Sequence, residues 1–145
     1  MDMLRLGISS CLLGHKVRYD GGHKYDAWLV ETLGNFVEFV PVCPEVGCGL
    51  SIPREAMHLQ GDKDAPRLVT VKTGIDLTQR MLEFCSTKIK ALQAEALCGY
   101  VFKSKSQSSG RERVKIYPLS GGAATKTGVG IYARAFMKAF PLLLV

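Results

Sequence analysis

The sequence predicts one α/β domain over residues 1–145, with a mostly parallel sheet flanked by helices in a Rossmann-like three-layer arrangement. Three observations carry that expectation. Segments of strand and helix character alternate along the chain, as they do in β-α-β units. At 145 residues the chain is the size of one domain and can bury a real core. Its composition, 47% hydrophobic and 22% charged, is that of an ordinary globular protein, without repeats or low-complexity stretches.

The elements follow in order. "LRLGIS" (4–9) reads as a first strand that runs straight into "SCLLG". Residues 14–24, rich in Gly, His and charge, read as a loop. In "YDAWLVETLG" (25–34) Trp28, Leu29, Val30 and Leu33 share one side, and Gly34 suits a helix stop. "FVEFVPV" (36–42) is β-branched and aromatic, which makes a second strand. A helical turn is expected after Pro53, and a short strand in "RLVTVK" (67–72). Residues 73–96 keep Leu77, Met81, Cys85, Ile89, Leu92 and Ala96 on one helical face, with Asp76 and Gln79 spaced as a capping box. "LCGYVFKS" (97–104) reads as a buried strand, and 105–113 as a loop. "VKIYP" reads as a further strand or edge extension, and 127–141 as a last helix with Pro141 beyond its end.

Function classes narrow from the same numbers. No apolar run approaches the length of a membrane span, and the first residues lack a signal-peptide core, so a cytoplasmic protein is expected. Five cysteines are an odd number, which suits free thiols in a reducing compartment better than a disulfide framework. Nineteen Lys and Arg against 13 Asp and Glu give a net charge of +6, which favours acidic partners, nucleic acid among them.

In open parallel sheets, ligands bind beyond the carboxyl ends of the strands. Three expected strands end in polar loops: "SSC" (9–11), "CPEVGC" (43–48) and "KSKSQSSG" (103–110). A parallel sheet brings all three to one edge, where Cys11, Cys43, Cys48, Glu45, Ser106, Ser108 and Ser109 converge. Cys85 and Cys98 read as core residues, because each lies in an apolar face or strand. Soft sulfur from three loops suits an iron–sulfur cluster, whose fourth iron would stay open; zinc and plain packing are the competing readings. Glu45 is placed for general acid–base work, and a surface carboxylate is the bland alternative. Arg18, Asp20 and His23 form either a simple turn or substrate contacts. Lys103 and Lys105 belong to a loop that can cradle an anion, although its glycine and lysine order is not that of a Walker motif.

The ordered set "ISSCLLGHKVRYDGGHK", "VPVCPEVGCGLSIPREAM", "TGIDLT", "GYVFKSKSQSSGRERVKIY" and "GVGIYARAFMKAFPLLLV" resembles the domain-of-unknown-function family 523 over nearly the whole chain. Thiouracil and thiouridine desulfidases belong to that family. The resemblance implies a [4Fe–4S] cluster on three cysteines. Its open iron takes sulfur from a thiolated pyrimidine base, nucleoside or tRNA nucleotide, water supplying oxygen without net redox change. Cys11 and Cys43 match two of those ligands, and Glu45 the acid of "C-P-E". The family's serine loop usually reads Ser-Pro-Ser-Cys-Gly, its Cys the third ligand. Here it reads Ser106-Gln107-Ser108-Ser109-Gly110, so a hydroxyl stands where the sulfur belongs. Cys48 is the expected replacement.

Two function classes follow. One is a cluster-dependent desulfidase in which Cys11, Cys43 and Cys48 are ligands, Glu45, Ser108 and Ser109 act on substrate, and Arg18, Asp20, His23, Lys103, Lys105 and Ser106 bind it. The other is a non-catalytic module without the cluster that binds nucleic acid or a partner. A zinc hydrolase is a third. In some relatives a second domain follows, so a fused domain or an oligomer is also compatible.

Overall fold

The structure, a computed structural model, describes residues 3–145. Its elements are β1 (Leu4–Ser9), α1 (Ala27–Glu31), β2 (Val37–Val42), α2 (Pro44–Gly47), β3 (Met57–Gln60), β4 (Arg67–Thr70), α3 (Thr78–Gln93), β5 (Leu97–Val101), β6 (Val114–Tyr117), β7 (Thr125–Gly128) and α4 (Ile131–Ala139). Three parallel strands form a first sheet in the order β2-β1-β5, the expected doubly covered α/β core. Alternate residues set its two faces. Fully buried Ile8 packs with Cys11, Leu12 and Leu29 beneath α1. Tyr100 and Val42 point to the larger cluster, with Met81, Cys85 and Leu92 of α3 and Tyr132 and Phe136 of α4. Gly7 is there because a Cβ would stand 2.3 Å from the Tyr100 ring.

A second, four-stranded sheet shares the larger core cluster, in the order β4-β3-β6-β7, with β3 and β6 parallel and both outer pairs antiparallel. Its inner face gives Leu59, Leu68, Val114 and Ile116 to the larger cluster. The expected helical turn after Pro53 is therefore β3, where Met57 and Leu59 face the core and His58 and Gln60 face outward. Likewise, residues 125–128 pair as β7 before the last helix begins at Ile131.

Three smaller expectations are corrected. Cys98 is exposed, because the β5 pleat sends Leu97 inward and its neighbour out. Trp28 is exposed, since α1 spans five residues and buries only Leu29. The N-cap of α3 is Leu77, so Asp76 and Gln79 form no capping box; Asp76 accepts the Thr78 N–H at 2.9 Å and pairs with Arg67 at 2.8 Å, tying β4 to the helix start. Among the described residues no helix is long and apolar enough to cross a membrane.

Candidate functional site

The three strand ends do meet. A cavity of about 320 Å³ opens at the carboxyl edge of the parallel sheet, small enough for one base-sized ligand. Cys11, Cys43, Glu45, Arg18, Lys103, Lys105, Ser106, Ser108 and Ser109 line it, with Arg54 beside them.

After β1 the chain winds into one 3-10 turn, Ser10–Leu13, which ends at Gly14 in the left-handed region. The returning loop closes on it, with Lys24 N–H donating to the Cys11 carbonyl at 2.9 Å and Asp26 N–H to the Leu12 carbonyl at 2.9 Å. That closure puts the Cys11 sulfur at the strand end, buried. Burial raises its pKa, and Lys103 and Arg18 pull the other way. Cys43 sits before α2, whose first residue is Pro44, a position that needs no N–H. Burial raises the Cys43 thiol as well, opposed by the Val46 amide turned toward it.

Glu45 follows in the first turn of α2. Its carboxylate lies 3.7 Å from Arg54 Nε, and both side chains are largely buried. Burial raises the Glu45 pKa, while Arg54, Ser108 and Arg18 favour the charged form. Arg54 is fixed in turn: its guanidinium donates to the Val17 carbonyl at 2.9 Å and the Ser51 carbonyl at 3.1 Å. Sequence reasoning passed over Arg54. The one signal was its place in "SIPREAM", a few residues after the thiols.

The serine loop is built by main-chain contacts and by one hydroxyl, that of Ser106. The Ser106 hydroxyl accepts the Ser109 N–H at 3.0 Å. Ile131, Ala133 and Gly130 donate their N–H groups to the carbonyls of Gln107, Ser108 and Gly110 at 3.1, 3.0 and 2.7 Å. A Cβ on Gly130 would stand 2.5 Å from the Ser108 carbonyl, so only glycine lets the start of α4 come this close. Ser108 and Ser109 are buried as a result. The Ser9 hydroxyl accepts the Lys103 N–H at 2.9 Å and locks this loop to the end of β1. Burial lowers the Lys103 pKa, opposed by the Cys11 thiol.

Three expected site residues lie elsewhere. Cys48 does not reach the cavity. The chain turns at Gly47 against Phe84 of α3, and the Cys48 thiol donates to the Glu45 carbonyl at 3.2 Å among Leu50 and Phe84. Asp20 accepts the Gly22 N–H at 2.8 Å, and His23 Nδ1 accepts the Tyr25 N–H at 3.1 Å; both side chains shape the exposed loop rather than line the cavity.

The fit to an iron–sulfur cluster follows from this donor set. Two thiols share the cavity, and the Ser109 hydroxyl beside them is a hard donor, where an iron–sulfur cluster wants soft sulfur. Among the described residues no group of three or more His, Cys, Asp or Glu is placed to hold a metal ion. The residues as arranged do not make a three-sulfur seat.

What the fold and cavity define is an α/β domain with a thiol- and serine-lined, cationic ligand cavity at the end of a parallel sheet. The chain belongs to the 2-thiouracil desulfurase family, which it matches over residues 6–145. The solved structure of a protein described as a [4Fe–4S]-dependent thiouracil desulfidase, TudS, superposes with a TM-score of 0.75 and 29% identity. The match covers 97% of this chain and 89% of that one. An uncharacterized Bacillus subtilis (strain 168) protein, YbbK, is 27% identical over 127 residues, which is 84% of this chain and 83% of its own length.

Proposed function

We propose that this chain binds a pyrimidine nucleotide, thiolated or not, as a family member that has given up the three-sulfur cluster seat. The observation that carries the reading is that only two thiols, Cys11 and Cys43, line the cavity, with Ser109 beside them and Cys48 turned onto α3 and away from it. The rest of the cavity suits such a ligand. Four cations, Arg18, Arg54, Lys103 and Lys105, face one carboxylate, Glu45, and leave a positive site for a phosphate. Ser106, Ser108 and Ser109 offer hydroxyls to the polar edge of a base. Glu45 accepts a ring N–H when charged and donates when protonated.

A second reading, a desulfidase that replaces the sulfur of thiouracil or 4-thiouridine by oxygen, keeps one observation in its favour. Cys11 and Cys43 still line the same cavity as Glu45. In that reading these two thiols are ligands, Glu45, Ser108 and Ser109 act on the substrate, and tRNA is a candidate substrate. The protein would then work in the cytoplasm.

The test is an iron and acid-labile sulfide count after anaerobic reconstitution, run beside a titration with 4-thiouridine monophosphate. Wild type is expected to bind the nucleotide, carry little iron and release no sulfide. Ser109→Cys is expected to gain about four irons per chain. About four irons in wild type, surviving Cys48→Ser, with sulfide release, would establish the second reading instead.

A further inference from the structure

A groove of about 820 Å³ runs over the outer face of the second sheet. It shares Met57, Lys105 and Gln107 with the thiol cavity, so the two lie side by side. We propose that this face binds single-stranded nucleic acid and leads one nucleotide into the cavity. The proposal deepens the pyrimidine reading, and it rests on that reading only for the nucleotide inside the cavity.

The charge is the first argument. Lys105, Arg113, Lys115 and Lys126 line the groove against a single acid, Glu112. Lys115 stands directly opposite Lys126 in the β6–β7 register. Like charges facing across a strand pair destabilise the sheet, and neither lysine has an acidic partner among the described residues. A ligand carrying spaced negative charges relieves that repulsion. The other two cations are held at a conformational cost. Lys105 (φ 63°) and Arg113 (φ 53°) are two of the three described non-glycine residues in the left-handed region. Such strain gathers at ligand-binding sites.

The second argument selects the polymer. His58 of β3 and Tyr117 of β6 stack on the outer face, with centroids 4.5 Å apart and planes 28° from parallel. An aromatic pair between cations is how proteins hold unpaired bases while tracking a phosphate backbone. An acidic protein segment has no use for the ring platform, and a duplex keeps its bases stacked away from it. The neighbouring cavity has room for one base-sized group.

The experiment uses fluorescein-labelled oligo(U) of about twelve nucleotides, within the span of such surfaces. The full chain is titrated by anisotropy over a salt series. Lys115→Gln/Lys126→Gln is expected to bind it about tenfold more weakly, with the slope of log K against log salt reduced by about 1.4 for two lost contacts. The same variant is expected to melt at higher temperature, since it removes a repulsion, which also guards against a folding artefact. Lys90→Gln/Lys138→Gln, an equal loss of charge from exposed positions on α3 and α4, is expected to keep the wild-type affinity. Equal weakening in both variants, or binding of an RNA duplex or polyglutamate as tight as that of oligo(U), would overturn the proposal. Uridine monophosphate, titrated by calorimetry, reports on the cavity alone. A protein that binds it but not oligo(U) ends the groove proposal and leaves the cavity reading standing; binding of oligo(U) without it does the reverse.

Discussion

The cavity has two walls built in different ways. In the thiol wall the functional side chains help to hold the structure. Cys11 is packed into the cluster with Ile8, Leu12 and Leu29, and the Cys43 sulfur has the amides of α2 turned toward it. In the serine wall the backbone does most of the holding: three N–H groups of 130–133 grip the carbonyls of 107, 108 and 110, glycine at 130 permits the approach, and the Ser106 hydroxyl helps by taking the Ser109 N–H. The side chain of residue 109 takes little part in that architecture. The difference teaches which wall tolerates a change of side chain. A substitution at 109 in the serine wall leaves the shape, whereas one at Cys11 in the thiol wall disturbs the packing as well.

The sharpest way to break that comparison is Gly130→Ala. Its methyl group would meet the Ser108 backbone, which cannot give way as a flexible side chain would. A loss of about 3 kcal/mol is expected, read as a lower urea midpoint, with nucleotide binding lost alongside. Ser109→Ala, on the same wall, is expected to cost no more than about 1 kcal/mol. Equal costs for the two would mean that the side chain at 109 does hold the wall.

That division also explains what was legible in the sequence. β1, β2 and β5 announce themselves by apolar runs that empty into polar loops, and the helical period of α3 fixes which residues it buries. Convergence of Cys11, Cys43 and the serines then follows from parallel topology alone. Of the second sheet, β4 and β6 read as strands, whereas β3 follows a proline that suggests a turn and β7 is a polar "TKTG" segment beside the last helix, so neither shows a strand period. Cys48 was misplaced for a similar reason. Nothing local says that Gly47 packs on Phe84, a contact that sends the next side chain toward α3. Arg54 went unread because its partners, Val17 and Glu45, lie far from it in the chain.

Arg54 joins the thiol wall to the loop across the cavity, so its loss tests whether that wall depends on side chains. Arg54→Ala leaves the Glu45 carboxylate without its nearest counter-charge and frees the Val17 carbonyl. Breaking a well-buried pair costs about 3–5 kcal/mol. The 3.7 Å separation puts this one near the lower end, about 3 kcal/mol, measured by chemical denaturation. The conservative Arg54→Lys keeps the charge but not the fork that spans the Val17 and Ser51 carbonyls, and should recover part of the loss. Full tolerance of Arg54→Ala would place the stability of the thiol wall in its backbone after all, like that of its neighbour.

The smallest effect comes from the next residue, Glu55, which fastens the Arg54 segment from outside the cavity. Its carboxylate accepts the Lys72 and Thr73 N–H groups and the Thr73 hydroxyl, the last two at 2.7 Å, and so ties 54–56 to the turn after β4. The Thr73 hydroxyl, aided by the two amides, holds the Glu55 pKa below its ordinary value of 4.5. A carboxylate whose folded pKa lies below its unfolded one binds fewer protons when folded, so its stabilisation is present above 4.5. It is lost as the pH falls through the lower, folded value. Denaturation midpoints measured from pH 6 down to about 3 should therefore fall less steeply in Glu55→Gln than in wild type. At pH 6 that variant should be slightly less stable, and solvent at this exposed site keeps the difference small. If Arg54→Ala removes the pH dependence carried by Glu55, the two residues act as one clamp on the thiol wall; if the effects add, the wall is held at two independent points.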